Sequence, residues 1–145
     1  MAAHQNSALG PAPAPRDEFA CWGVYSRACA TRRTLARVAD KWTILVVGRL
    51  SQRPCRLGEL RRSIEGISSK VLTETLRKLE GDGLLTRSVE PTSPPAVTYA
   101  LTPLGRGLGD AAIGLRRWAE RHADEVEDHR RARARFAGGE TNRAP

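Results

Sequence analysis

The sequence predicts a mainly helical α+β domain, in which three helices precede a two-stranded hairpin and one long helix closes the chain. Three observations carry this prediction. Apolar residues recur at helical spacing in several stretches. Two stretches of alternating apolar and polar residues flank a proline-rich connection. And 145 residues suit one compact core with loose ends.

The elements follow in chain order. Residues 1–15, rich in Ala and Pro, are expected to be a disordered tail. Residues 16–130 form the expected domain, and 131–145 a basic, flexible tail. Phe19, Trp22 and Tyr25, spaced by three, suggest a short helix over 17–26. Leu35, Val38, Ala39, Trp42, Leu45, Val46 and Leu50 keep helical period from Thr31 to Leu50, so one helix is expected there, stopped by Arg53-Pro54. A shorter helix from about Arg56 to Ile64 turns Leu57, Leu60 and Ile64 inward, and Gly66 breaks it.

Ser68-Ser69 offers an N-cap to a third helix, whose stripe is Val71, Leu72, Leu76 and Leu79 and which stops near Gly81-Asp82-Gly83. Leu85 and Val89, then Val97, Tyr99 and Leu101, alternate with polar residues as two hairpin strands. Pro91, Pro94 and Pro95 forbid ladder bonds between them and leave a protruding tip. Thr102-Pro103 is an N-cap followed by proline at the first helical position. The long helix over 103–128 carries Leu104, Leu108, Ala111, Ala112, Leu115, Trp118, Ala119 and His122 on one side. Helix, turn, helix and a two-stranded wing, in that order, make a winged helix-turn-helix domain.

Charge points to a partner class. Lys+Arg is 24 against Asp+Glu 16, a net +8. Only Lys41, Lys70 and Lys78 are lysines, and guanidinium forks suit phosphates and guanine edges. Nucleic acid, here double-stranded DNA, is the leading partner class, with an anionic membrane as the rival and arginine-preferring codons as the indifferent explanation. The longest strictly aliphatic run, Ile44-Leu45-Val46-Val47, is too short to span a bilayer, so no membrane role is expected. Met1 to Pro15 lacks the basic start and apolar core of a secretory signal, so the cytoplasm is the expected compartment. Cys21, Cys29 and Cys55 form neither a disulfide framework nor a zinc pattern, and His4, His122 and His129 are scattered. No metal, no cofactor and no catalytic constellation is expected; Asp124, Glu125, Glu127 and Asp128 read as a solvated helix face.

Several phrases also resemble one family, the HxlR-type regulators, relatives of the MarR group. Cys29-Ala30-Thr31-Arg32-Arg33-Thr34-Leu35 is similar to its opening CPVxxTL, and Asp40-Lys41-Trp42-Thr43-Ile44-Leu45 to its DKWTLLIL. Leu57-Gly58-Glu59-Leu60-Arg61-Arg62 and Gly66-Ile67-Ser68-Ser69-Lys70-Val71-Leu72-Thr73 resemble FGELRR and GISxKVLT. Leu76 to Leu84, Tyr99 to Thr102 and Pro103-Leu104-Gly105 complete a likeness over roughly 29–122. It implies a homodimeric winged-helix transcription regulator, paired through its N-terminal segment and last helix. In some members, a cysteine at the place of Cys29 senses oxidants. Two departures stand out: Pro95-Ala96-Val97-Thr98-Tyr99 lacks the arginine of the family's PPRVEY wing, and the extension before Cys29 is longer.

The residues assign roles within that scheme. With Val71, Leu72, Leu76 and Leu79 inward, Ser69, Lys70, Thr73, Glu74 and Arg77 share an outward face. Ser68 and Ser69 sit where a helix N-terminus receives a phosphate. Lys70 and Arg77 can bond guanine or phosphate, Thr73 a thymine methyl, and Glu74 a cytosine amino group. Arg56, Arg61 and Arg62 suit phosphates, and Arg87 stands nearest the missing wing arginine. The indifferent alternative is a solvated helix face.

Two protomers would read an inverted repeat, here taken as a repressor's operator. Leu108, Leu115 and Trp118 would meet the partner, with Phe19, Trp22 and Tyr25; otherwise Trp118 caps the monomer's own core. Cys29, before a helix start and beside Arg27, Arg32 and Arg33, is either a reactive thiol or a small buried apolar residue. A small molecule or electrophile is the possible effector. The alternative function is a basic protein-interaction module on the same scaffold that does not read DNA sequence.

Overall fold

The computed structural model describes residues 29–139. Phe19, Trp22 and Tyr25, expected in a short helix, and the first tail lie outside the described residues. By its internal contacts the chain divides into one unit over 1–39 and another over 40–145.

In the first unit, α1 spans Ala30–Val38, begins at Cys29 and buries none of its residues. The single helix expected over 31–50 is therefore corrected to two, because Asp40 opens a new one. In α2 (Lys41–Leu50) the Asp40 carboxylate accepts the Trp42 and Thr43 amides at 3.1 and 3.0 Å. An aspartate that caps a helix cannot also sit inside one; its side chain satisfies donors that a continuous helix would spend on backbone carbonyls.

The second unit continues with β1 (Cys55–Arg56), α3 (Leu57–Ser63), α4 (Ser69–Gly81), β2 (Leu85–Glu90), β3 (Ala96–Leu101) and α5 (Pro103–Gly139). The chain is mainly helical with a small antiparallel sheet, a winged helix-turn-helix arrangement in which α3 and α4 form the motif. The sheet holds three strands rather than two, in the order β1-β3-β2. Cys55 pairs with Tyr99 and Arg56 with Thr98, a two-residue strand too short to show alternation. The helix α5 is also longer than its expected end at 128, and it carries the arginine run of 130–135 as helix.

Burial follows the helical stripes with exceptions. Leu72, Leu76 and Leu79 of α4 are buried with Val46, Val47, Leu50, Leu60, Ile64, Leu85 and Leu101. Each such side chain contributes about 1.5–3 kcal/mol when fully buried. Val71 is only half-buried, and Thr75 replaces it in the core, its hydroxyl donating to the Val71 carbonyl at 2.8 Å. Leu57 and Val89 are exposed, against expectation. Leu57 is the first residue of α3, and β2 buries only Leu85, the residue at the base of the hairpin.

Two junctions hold this unit. At the first, Lys78 Nζ lies 2.9 Å from Asp40 Oδ2, while the buried Thr43 hydroxyl donates to the same oxygen at 2.6 Å. The pair ties the start of α2 to the last turn of α4. Burial pushes the Asp40 carboxyl up, but the hydrogen bonds from Thr43 and Lys78 outweigh it and bring it from 3.8 to about 2. At the second, the Thr102 amide donates to the Leu84 carbonyl at 3.1 Å and the Thr102 hydroxyl to the Gly83 carbonyl at 2.7 Å. The same hydroxyl accepts the Gly105 amide at 3.0 Å and so caps α5. A Cβ at Gly105 would stand 1.8 Å from the Leu84 carbonyl oxygen, so only glycine fits that approach.

Two predictions follow from these junctions. Gly105→Ala should lower unfolding stability by about 2 kcal/mol or more, because backbone cannot yield as a side chain can; a denaturant midpoint unchanged from wild type would refute the close approach. Asp40 contributes stability above its unfolded pKa that disappears as pH falls from about 4 to 2. Asp40→Ala should cost about 1–2 kcal/mol at neutral pH and flatten that part of the acid-unfolding curve.

Candidate nucleic-acid interface

The surface of interest starts at the turn between α3 and α4. Gly66 adopts φ +82°, a left-handed conformation that favours glycine, and this turn leads the chain into the cap of α4. The Ser68 hydroxyl accepts the Val71 amide at 3.1 Å. Ser69, Lys70, Glu74 and Arg77 are exposed and Thr73 half-buried, while the opposite side of the helix is in the core. The Thr73 hydroxyl donates to the Ser69 carbonyl at 2.8 Å. Lys70 and Glu74 approach to 4.0 Å, an exposed pair that contributes little to stability.

A groove of about 440 Å³ runs between α4 and the hairpin. It brings together Leu57 from α3, Thr73, Arg77 and Glu80 from α4, Arg87 from β2 and Tyr99 from β3. Arg87, opposite Tyr99 in the strand register, thus faces the groove and not the wing tip. Leu57 lines this groove because it is exposed, the same feature that removed it from the core.

The basic residues divide by partner. Glu59 accepts the Arg56 amide at 2.8 Å and pairs with Arg53 at 2.9 Å, and the Arg53 guanidinium first, then the Arg56 amide, hold its carboxyl at about 2. The Arg56 side chain lies 3.7 Å from Glu90. Arg61 and Arg62 are exposed on α3 outside the groove. Arg61, Arg62, Arg77 and Arg87 make no ion pair among the described residues. Arg53 and the Glu59 tie were missed in the sequence; the glutamate three residues after Arg56 was the available signal.

The predicted residues of α5 do not line this groove. Leu108 is half-buried, while Leu115 and Trp118 are 49% and 51% exposed. The Trp118 ring meets the His122 ring at a tilt of 37°, with centroids 5.3 Å apart. Cys29, half-buried, precedes α1. The Arg32 backbone N–H, and then the Thr31 side chain, lower its thiol below the ordinary value of 9.0. Cys55 is buried in β1, its thiol donating to the Arg53 carbonyl at 3.4 Å.

Comparison with known proteins decides the kinship of this arrangement. Residues 37–127 match the HxlR-like helix-turn-helix family. The chain belongs to that family. The uncharacterized HTH-type transcriptional regulator YtfH of Escherichia coli is 37% identical over 103 residues, 71% of this chain and 82% of the relative. The solved ytfH of Salmonella typhimurium is 36% identical with a TM-score of 0.69, over 74% of this chain and 96% of that one. The redox regulator HypR in its reduced form is 33% identical with a TM-score of 0.62, over 68% and 97%. This HxlR-like protein is accordingly a transcriptional regulator of the helix-turn-helix class. Its family consists of regulators, not enzymes, and no helix among the described residues is long and apolar enough to cross a membrane.

Since the exposed arginines hold nothing in the fold, Arg77→Ala and Arg87→Ala should each change unfolding free energy by no more than about 0.5 kcal/mol. Thermal denaturation checks this; a larger loss would mean that the groove is structural.

Proposed function

We propose that this protein is a sequence-specific DNA-binding repressor, acting as a homodimer on an inverted-repeat operator in the cytoplasm. One observation carries the reading. The outward side of α4 holds Ser69, Lys70, Thr73, Glu74 and Arg77, and its inward side is core. A helix so anchored enters a major groove with its N-terminal residues at the base edges. Lys70 and Arg77 reach guanine or phosphate, Thr73 a thymine methyl and Glu74 a cytosine amino group. Ser68 and Ser69 lie where the free amides of α4 donate to a phosphate. Arg61 and Arg62 hold the DNA backbone, as does Arg56 once it leaves Glu90. Arg87 extends the contact from Arg77 across the groove. Phe19, Trp22, Tyr25, Leu108, Leu115 and Trp118 belong to the protomer interface.

Cys29 is the sensing residue in this reading. Its lowered thiol pKa raises the share of the thiolate, the nucleophilic form, above that of an ordinary cysteine. HypR, a redox regulator of similar structure, supports an oxidant or electrophile as the effector.

Gel shifts with the DNA upstream of the protein's own gene test both parts. Lys70→Ala with Arg77→Ala should weaken specific binding by about 1–3 kcal/mol per lost base contact. Arg61→Ala should instead weaken all sequences alike and reduce the salt slope by about one unit. Binding that ignores sequence, or survives the double substitution, would favour a basic protein-interaction module instead. Cys29→Ser should bind the operator normally and fail to release it on treatment with diamide; unchanged release would shift the effector to a non-thiol ligand.

A further inference from the structure

Where α2, α5 and the end of α3 meet, the body leaves a cleft of about 270 Å³. Its apolar lining is Ile44 and Leu45 of α2, Ile64 at the end of α3 and Ala112 of α5, the last two buried. Gly48 of α2 also lines it, and this glycine is unlike Gly105 and Gly109. A Cβ at Gly48 would meet nothing within 4 Å, so no close approach requires glycine there. Glycine inside a helix costs stability relative to alanine. Gly48 is half-buried, so the space that its missing side chain leaves open belongs to the cleft. Two guanidinium groups complete the lining, Arg49 of α2 and Arg116 of α5. Arg49 donates to Gln52 Oε1 at 2.9 Å, and Arg116 to Glu120, which leaves most N–H donors of each to another acceptor.

We infer that this cleft binds a small monocarboxylic acid, whose carboxylate takes the arginine donors and whose compact apolar body fills the space beside Gly48. Charge selects a monoanion. Arg49 and Arg116 outnumber the single acid of the lining, Glu65, and a second carboxylate on the ligand would find no further cation there. Volume selects a compact body, because the cleft lies just under the roughly 300–1,000 Å³ of ordinary ligand sites. No aromatic side chain lines it, so a flat ring has nothing to stack on and a saturated body fits as well. The site also has a route to α4. Ile64 and Glu65 lead through Gly66 to the Ser68 cap of α4, while Ala112 and Arg116 belong to α5. An occupant therefore bears on the spacing between the turn before α4 and the helix assigned to the protomer interface. That the acid alters operator affinity rests on the DNA reading above; that it binds does not.

Nuclear magnetic resonance titration of the full-length chain with cyclohexanecarboxylate tests the site. Saturable shifts of the Gly48, Glu65 and Ala112 amides are expected, and none with the neutral cyclohexanecarboxamide. Gly48→Leu puts a side chain into the cleft and should abolish the shifts, with a melting temperature no lower than wild type. Arg116→Gln should raise the dissociation constant about tenfold, the loss of roughly one charge-assisted hydrogen bond. Equal binding of acid and amide, or full binding by Gly48→Leu, would overturn the site. So would a wild-type chain that shows no shift; cleft amides that broaden with protein concentration would then identify a second copy as the occupant. Gel shifts separate the two parts. The acid should change the operator dissociation constant of the wild type but not of Gly48→Leu. An unchanged constant beside saturable binding would remove the effector role and leave the site standing. A wild-type chain that binds no operator would remove the DNA reading and the effector role together, again without touching the site.

Discussion

The contact between α5 and the Leu84 carbonyl organises the second unit. Three chain segments meet there: the turn after α4, the base of the hairpin and the first turn of α5. The Thr102 side chain serves two of them at once, donating to Gly83 and accepting from Gly105. Because no Cβ is tolerated at Gly105, the approach is nearly rigid. Gly109 repeats the device one turn later, where a Cβ would stand 2.2 Å from the Ser51 hydroxyl. Glycine inside a helix costs roughly 0.5–1 kcal/mol relative to alanine, and here that cost secures close packing of α5 on α2. The outward side of α4 is thereby held at a set angle to the helix proposed to join two protomers. Half-site spacing on DNA is a geometric quantity, so this rigidity matters for recognition.

Charge is distributed in the same spirit. The carboxylates Asp40, Glu59 and Glu90 hold Lys78, Arg53 and Arg56, and these pairs connect elements. Lys78 therefore has a structural task, although composition alone would count it among the DNA-binding cations. Arg61, Arg62, Arg77 and Arg87 are left exposed and available to phosphate. A net charge of +8 thus divides into a part spent on the fold and a part facing outward. The groove that joins Arg77 and Arg87 extends the α4 surface to the hairpin, even though the wing tip carries no arginine.

Most of this was legible in the sequence, for physical reasons that differ by element. The α4 stripe was legible because Leu72, Leu76 and Leu79 keep helical period and Ser68 is a strong cap. The wing was legible from alternation around prolines, and the start of α5 from Thr102-Pro103. The division at Asp40 was obscured because apolar residues continue in phase on both sides of it, and periodicity is blind to a capping side chain. β1 was missed because two residues cannot alternate. Leu57 and Val89 were assigned inward by pattern alone, whereas tertiary neighbours decide burial. The Asp40–Lys78 pair joins positions 38 residues apart, which no local pattern reveals.

Hydroxyl-radical footprinting of the full-length protein on the DNA upstream of its gene tests most directly whether α4 reads DNA as half of a two-fold pair. Two protected segments on one face of the duplex, centred about one turn apart at ~34–36 Å and arranged as an inverted repeat, are expected. Uniform protection without a dyad, or none at concentrations that saturate nonspecific DNA, would contradict it.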